Sequence, residues 1–149
     1  MRLILFIWKR LILGKKIIVL SNLKPRNMRG VKSCGMLMAA SDDKHENVEL
    51  LFPPEEANPG ERIWFGSEDE MDNQPAAATP NQIQKKKIWE LVQPHLKTDD
   101  SCIAMLGVDV ILGSVACQSL RNANISISYS TQPFWHCLSC LTHSFVCFA

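Results

Sequence analysis

The 149-residue sequence lacks any recognisable catalytic constellation. It has no G-x-S-x-G elbow, no P-loop and no H-E-x-x-H pair, and its acidic residues gather in loop-like stretches without an opposed partner. His45 and His95 stand alone in polar surroundings. Hydrolase, nucleotide-hydrolysing and zinc-peptidase chemistry are therefore not expected, and the reading is a protein that is not an enzyme. A long apolar run is missing as well. Residues 3–8 make an apolar run of six, which Lys9, Arg10, Lys15 and Lys16 interrupt before it can reach the roughly 18 residues of a membrane span, and no small-residue cleavage site follows. Residues 3–13 are instead expected to pack as a strand or helix. The six cysteines, at 34, 102, 117, 137, 140 and 147, follow no regular framework, so reduced thiols in a cytoplasmic protein are the default. His136-Cys-Leu-Ser-Cys-Leu-Thr-His143 offers half of a zinc site, but a closed site draws its ligand pairs from separated segments, and His136 is bonded directly to Cys137. Neither a metal nor another cofactor is expected.

Two further absences are local. Residues 1–40 contain no Asp or Glu and nine Lys or Arg, whereas residues 41–80 carry eleven acidic against two basic residues, so the net charge of +1 conceals a strong asymmetry. A polyanion would be drawn to the N-terminal third and to Lys85, Lys86 and Lys87 and repelled by the middle; a merely solvated charged surface is the plainer alternative. Residues 126–149 contain no Lys, Arg, Asp or Glu at all. The 46% hydrophobic content is ample for the core of one domain.

What is present reads mainly as β-structure. Ile17–Leu20 is short and β-branched, and Pro25 and Gly30 then shape a basic loop before a second apolar run at residues 36–40. Cys34 falls inside that second strand-like region, and Gly35 marks a bulge or a close approach of backbone. The acidic stretch 41–47 separates residues 36–40 from 48–52 in a hairpin pattern, Pro53 and Pro54 stop the second strand, and residues 62–65 alternate as a further strand. Residues 67–80 are a surface loop. One helix is expected over 81–93, capped by Asn81 with Gln84 and ended by Pro94, with Ile88, Leu91 and Val92 inward and Lys85, Lys86 and Lys87 across its first turn, against the helix dipole. Residues 102–106, 108–112 and 115–117 read as three short strands, the last holding a buried Cys117.

Several separate motifs resemble one family. Asn22-Leu-Lys-Pro25, Met28-Arg-Gly30, Ser33, Gly35-Met36, the stretch 48–54, Asn58-Pro-Gly-Glu-Arg-Ile63, Lys85-Lys-Lys-Ile-Trp-Glu90 and Ser119-Leu-Arg-Asn-Ala-Asn124 stand in the order of the tRNA-binding domain appended to methionyl- and tyrosyl-tRNA synthetases and shared with the endothelial monocyte-activating polypeptide II family. The resemblance covers residues 16–125. It implies a partial oligonucleotide-binding (OB) β-barrel with a C-terminal extension containing one helix and short strands. It divides the chain into a non-family N-terminus at 1–15, the partial barrel at 16–66, the loop at 67–80, the extension at 81–125 and a non-family tail at 126–149.

By the same resemblance the function is non-catalytic tRNA binding, delivering or retaining tRNA for an aminoacyl-tRNA synthetase or multi-synthetase complex. The implied RNA-contact residues are Asn22, Lys24, Met28, Arg29 and Ser33, to which charge alone adds Arg26 of the same loop and Lys85, Lys86 and Lys87 as phosphate contacts; Met28 has a second role open to it, as a core anchor of the loop. Arg suits bidentate phosphate contact and Lys a mobile point charge, while Asn and Ser can bond ribose or base edges. A protein-interaction or cytokine-like module of the same family is the alternative. A product truncated at its N-terminus and without function is another, because several barrel strands of the family precede Asn22 and only residues 1–15 are available here to pair with Ile17–Leu20.

Overall fold

Four consecutive aliphatic residues, Ile17–Leu20 (β1), are all buried, as expected of a strand covered on both faces. The computed structural model describes residues 14–28, 30–33, 35–107, 110–127 and 145–148. Over its last two residues β1 pairs antiparallel with Met36–Ser41 (β4), Val19 opposite Leu37 and Leu20 opposite Met36. A short ribbon intervenes, made of Arg26–Met28 (β2) and Val31–Ser33 (β3). Gly35 makes the approach between β1 and β4 possible, because a Cβ there would lie 3.0 Å from both the Leu20 carbonyl oxygen and Val19 Cγ1.

Every residue of β4 is buried, Ser41 included. Its outer residues pair with Val48–Leu50 (β5) in the expected hairpin. The turn is held by Asp42, whose carboxylate accepts from the Glu46 and Asn47 amides at 2.9 and 3.2 Å and from Asn47 Nδ2 at 2.7 Å. His45 is not solitary, since its Nδ1 lies 3.0 Å from Ser41 Oγ. On its other edge β4 pairs with Asn124–Ile127 (β9), and the sheet continues through Leu96–Thr98 (β6), Ile103–Leu106 (β7) and Val110–Ala116 (β8). Phe52, two residues past β5, then exchanges backbone hydrogen bonds of 2.8 and 3.1 Å with Ala116. The sheet thus curls until its far edge meets β5. The fold is mainly β and consistent with a partial OB-like barrel. Ile18, Met38, Leu51, Leu96, Val115 and Ile125 lie at its centre, each no more than 1% exposed.

The outer edge of β1 is covered by Phe145–Phe148 (β10), which runs parallel to it from Ile17 opposite Phe145 to Leu20 opposite Phe148. Its ladder partner on that side therefore comes from the uncharged tail and not from residues 1–15; a segment free of charge can lie along a buried strand without desolvating an ion. Residues 3–13 fall outside the described residues, as do His136, Cys137, Cys140 and His143.

Other sequence expectations shift for identifiable reasons. Residues 102–117 hold two strands and not three: Ile103 pairs with Ala116 and Met105 with Ile111, so β8 advances five residues where β7 advances two, and Gly113, which lies between the expected strands 108–112 and 115–117, falls in this irregularity. Residues 62–65 form isolated bridges at Arg62 and Phe65 and no continuous strand, and residues 67–80 contain a 3-10 turn at Glu68–Asn73. Leu96–Thr98 and Asn124–Ile127 are strands that the sequence did not announce.

The single expected helix is two. Pro80–Lys86 (α1) is capped by Thr79, whose hydroxyl accepts from the Gln82 amide at 3.3 Å while Gln82 Oε1 accepts from the Thr79 amide at 2.9 Å, so the capping box sits two residues before the Asn81 and Gln84 pair. Lys87 then takes the left-handed conformation, φ 50° and ψ 42°, and Ile88–Val92 (α2) starts afresh. That break resets the helical phase. Trp89 and Ile83 are buried while Leu91 is 67% exposed, reversing the inward face expected for Leu91. Lys85 and Lys86 occupy the last turn of α1, where cations favour the dipole and do not oppose it.

Glu49 ties β5 to the chain beyond β8. Its Oε2 accepts from the amides of Gln118, Ser119 and Leu120 at 3.0, 2.8 and 3.2 Å, and the Ser119 hydroxyl donates to Oε1. Burial pushes this carboxyl up, but the hydroxyl and the three amides outweigh it and hold the group below its ordinary value of 4.5. Nearby, burial and the neighbouring Cys102 push the Cys117 thiol up to about 11, which leaves it inert.

Thermal melts test both the helix break and the Glu49 cradle. Replacing Lys87 by glycine relieves a left-handed backbone that costs an L-residue more than glycine loses in entropy, so Lys87→Gly should raise the melting temperature by the equivalent of about 0.5 kcal/mol. A lower melting temperature would mean that the helix is continuous. Because Glu49 is held as a carboxylate in the fold, its contribution is present above its ordinary pKa and lost as pH falls through the depressed value. Glu49→Gln should cost about 1 kcal/mol at neutral pH, a partly exposed carboxylate being screened by solvent, with the gap between variant and parent narrowing as pH falls below the ordinary carboxyl value; a gap that stays constant as pH falls would contradict the assignment.

Candidate nucleic-acid interface

The cations of the Pro25 loop are carried on the β2–β3 ribbon, which stands apart from the curled sheet as a sheet of its own. Its two-residue connection is fixed by Gly30 at φ +85°, a conformation that glycine adopts freely, and by the Asn27 side-chain oxygen accepting from the Gly30 amide at 3.1 Å. Arg26 is paired with Ser33, Asn27 with Lys32 and Met28 with Val31. Alternation along the ribbon sends Arg26 and Lys32 to opposite faces, and both are exposed, as is Lys24 just before β2. The ribbon therefore presents guanidinium on one side and ammonium on the other, a combination able to grip two phosphates of a backbone that passes over its edge.

Asn22 has a different place. It is half-buried at the root of the loop, where its Nδ2 donates to the Ala78 carbonyl at 2.9 Å and its Oδ1 is buried with no partner among the described residues. Neighbouring Leu23 packs against the core. Asn22 accordingly fastens the ribbon to the residue that precedes the Thr79 cap of α1. The second basic group is thereby joined to the first through one hydrogen bond, with Lys85, Lys86 and Lys87 exposed at the far end of that helix. Arg29 and the side chains of Met28 and Ser33 lie outside the described residues, so of the nine sequence-derived contact residues the exposed and described ones are Lys24, Arg26, Lys85, Lys86 and Lys87. Lys32 was not singled out by the sequence, although its position opposite Asn27 in a two-residue hairpin would have revealed it.

Among the described residues no group of three or more His, Cys, Asp or Glu side chains could hold a metal ion, and no helix is long and apolar enough to cross a membrane. Donors of positive charge dominate the ribbon, which suits a polyanion whose position is fixed by phosphate contact.

Comparisons with known proteins point the same way. Residues 6–62 match the family model described as "Putative tRNA binding domain", a stretch that begins ten residues before the 16–125 range of the resemblance. The chain is 38% identical over 123 residues to the cytoplasmic tyrosine–tRNA ligase of Xenopus tropicalis, a match spanning 77% of this chain and 22% of the ligase. It is 43% identical over 91 residues to the aminoacyl tRNA synthase complex-interacting multifunctional protein 1 of Mus musculus, spanning 61% of this chain and 27% of that protein. Among solved structures it is similar to the C-terminal domain of Plasmodium vivax p43, with a TM-score of 0.55 and 32% identity over 72% of this chain and 64% of that one. The chain thus corresponds to about a quarter or less of the length of these two curated relatives. Through residues 6–62 it belongs to the tRNA-binding-domain family found in tyrosyl- and methionyl-tRNA ligases and in the synthase complex-interacting multifunctional protein.

Proposed function

We propose that this chain is a non-catalytic tRNA-binding module that works in the cytoplasm, retaining or delivering tRNA for an aminoacyl-tRNA synthetase or a multi-synthetase complex. The observation that carries the reading is the exposed cationic ribbon, Lys24, Arg26 and Lys32 on a hairpin set off from the sheet, in a chain of the tRNA-binding-domain family. Arg29, Met28 and Ser33 complete the contact region on the strength of the family motif. Asn22 serves it indirectly, by holding the ribbon against Ala78.

Phosphate contacts position a nucleic acid without reading its sequence, so this module raises the local concentration of tRNA and leaves discrimination to the enzyme it serves. Lys85, Lys86 and Lys87 extend the same surface. Lys85 and Lys86 favour α1 where they stand, which makes their charge useful to the fold and to RNA at once.

Arg26→Glu and Lys24→Glu should each weaken tRNA binding about tenfold or more in a filter-binding titration without lowering the melting temperature, since both side chains are exposed. Replacing Lys85, Lys86 and Lys87 together by alanine should flatten the dependence of log affinity on log salt, by about 0.7 to 0.9 for each phosphate those lysines neutralise. Unchanged affinity on charge reversal would remove the ribbon from the interface, and an affinity insensitive to salt would favour an apolar protein-interaction surface.

A further inference from the structure

A second feature lies away from the ribbon. Where the chain enters β1, the segment after β5 and the turn after β8 converge, and an open pocket of roughly 400 Å³ is lined by Lys15, Lys16, Phe52, Pro53, Glu55 and Gln118. None of these belongs to the sequence-derived contact residues. We infer that this pocket receives one unpaired nucleotide of an RNA strand, with its base against the Phe52 ring and its phosphate on Lys15 and Lys16.

The ring is a firm platform. Phe52 is anchored through both of its backbone groups to Ala116, at 2.8 and 3.1 Å, so its side chain projects from a point fixed by the curled sheet. It is only half-buried, and Lys15 Nζ lies 5.6 Å from the ring centroid. That contact demonstrates that a group in the pocket can reach the ring, and it holds an ammonium beside the place where a stacked base would sit. Lysine has a flexible stem, so an arriving base can take over the ring face while the ammonium swings to the phosphate attached to it. Lys16 is held at the rim by donating to the Glu55 carbonyl oxygen, which leaves its charge at the pocket mouth. Aromatic stacking beside cations is the usual means of holding a single strand without regard to sequence.

This inference rests on the RNA-binding reading, and the test separates the two. The probes are tRNA and a uridine decamer, each titrated by fluorescence anisotropy against the full chain. Phe52→Leu keeps the apolar volume but removes the stacking face, and should weaken decamer binding about tenfold; Lys15→Ala should weaken it a few-fold. Ultraviolet crosslinking of the unaltered chain to the decamer, mapped by mass spectrometry, should label the peptide containing Phe52, and this decides the matter if Phe52→Leu fails to fold. If the unaltered chain binds tRNA but neither variant changes decamer affinity and no crosslink reaches that peptide, the pocket assignment is overturned and the tRNA reading stands. If the unaltered chain binds neither RNA, both are overturned.

Discussion

Met36–Ser41 is buried along its whole length, and a strand buried on both faces must find backbone partners on both edges or leave amides and carbonyls unpaired in the core. One edge is satisfied by β1 and β5, the other by β9. Those partners come from opposite ends of the chain, which makes β4 the seam between the N-terminal strands and the C-terminal extension. The Phe52–Ala116 bridge and the Glu49 carboxylate, cradled by the amides of residues 118–120, repeat the connection on the far side of the curl. The basic ribbon grows directly from this seam, between β1 and β4, and Asn22 fixes its root to the start of α1. A loop rich in cations would otherwise repel itself into many conformations; here it springs from the most buried part of the sheet.

Legibility in the sequence follows the range of the interactions concerned. Ile17–Leu20, the hairpin from residue 36 to 50 and the need for glycine at position 35 are readable because β-branched runs, turn residues and close approach act locally. The helix is readable as a helix, but its break is not: a left-handed lysine at position 87 has no local signature, and once the phase resets, Trp89 and not Leu91 faces inward. Short strands such as Leu96–Thr98 exist only because neighbours pair with them, so three residues of ordinary composition carry no announcement. The cover on β1 escapes the sequence for the same reason, since a parallel pairing between residues 17–20 and 145–148 is set by tertiary context alone.

The candidate site divides along the same line. Lys24 and Arg26 can be named from sequence because exposed charge beside a proline-shaped loop needs no partner to declare itself. Asn22 has the look of a contact residue, and in the structure its side-chain amide donates to the Ala78 carbonyl, a long-range partner that the sequence does not disclose. The Lys85, Lys86 and Lys87 cluster is legible as charge but not as helix chemistry, since only the position of the Thr79 cap places Lys85 and Lys86 in the final turn.

The central claim is that tRNA is held by the ribbon growing from the β1–β4 seam. Amide hydrogen exchange of the chain with and without saturating tRNA tests it most directly, because protection reports which backbone segments the RNA covers. Protection concentrated in residues 22–33, with a weaker band at 85–87 and little change in β6 to β8, is the result the account predicts. Protection confined to β6, β7 and β8, with the ribbon exchanging as fast as in the free chain, would contradict it.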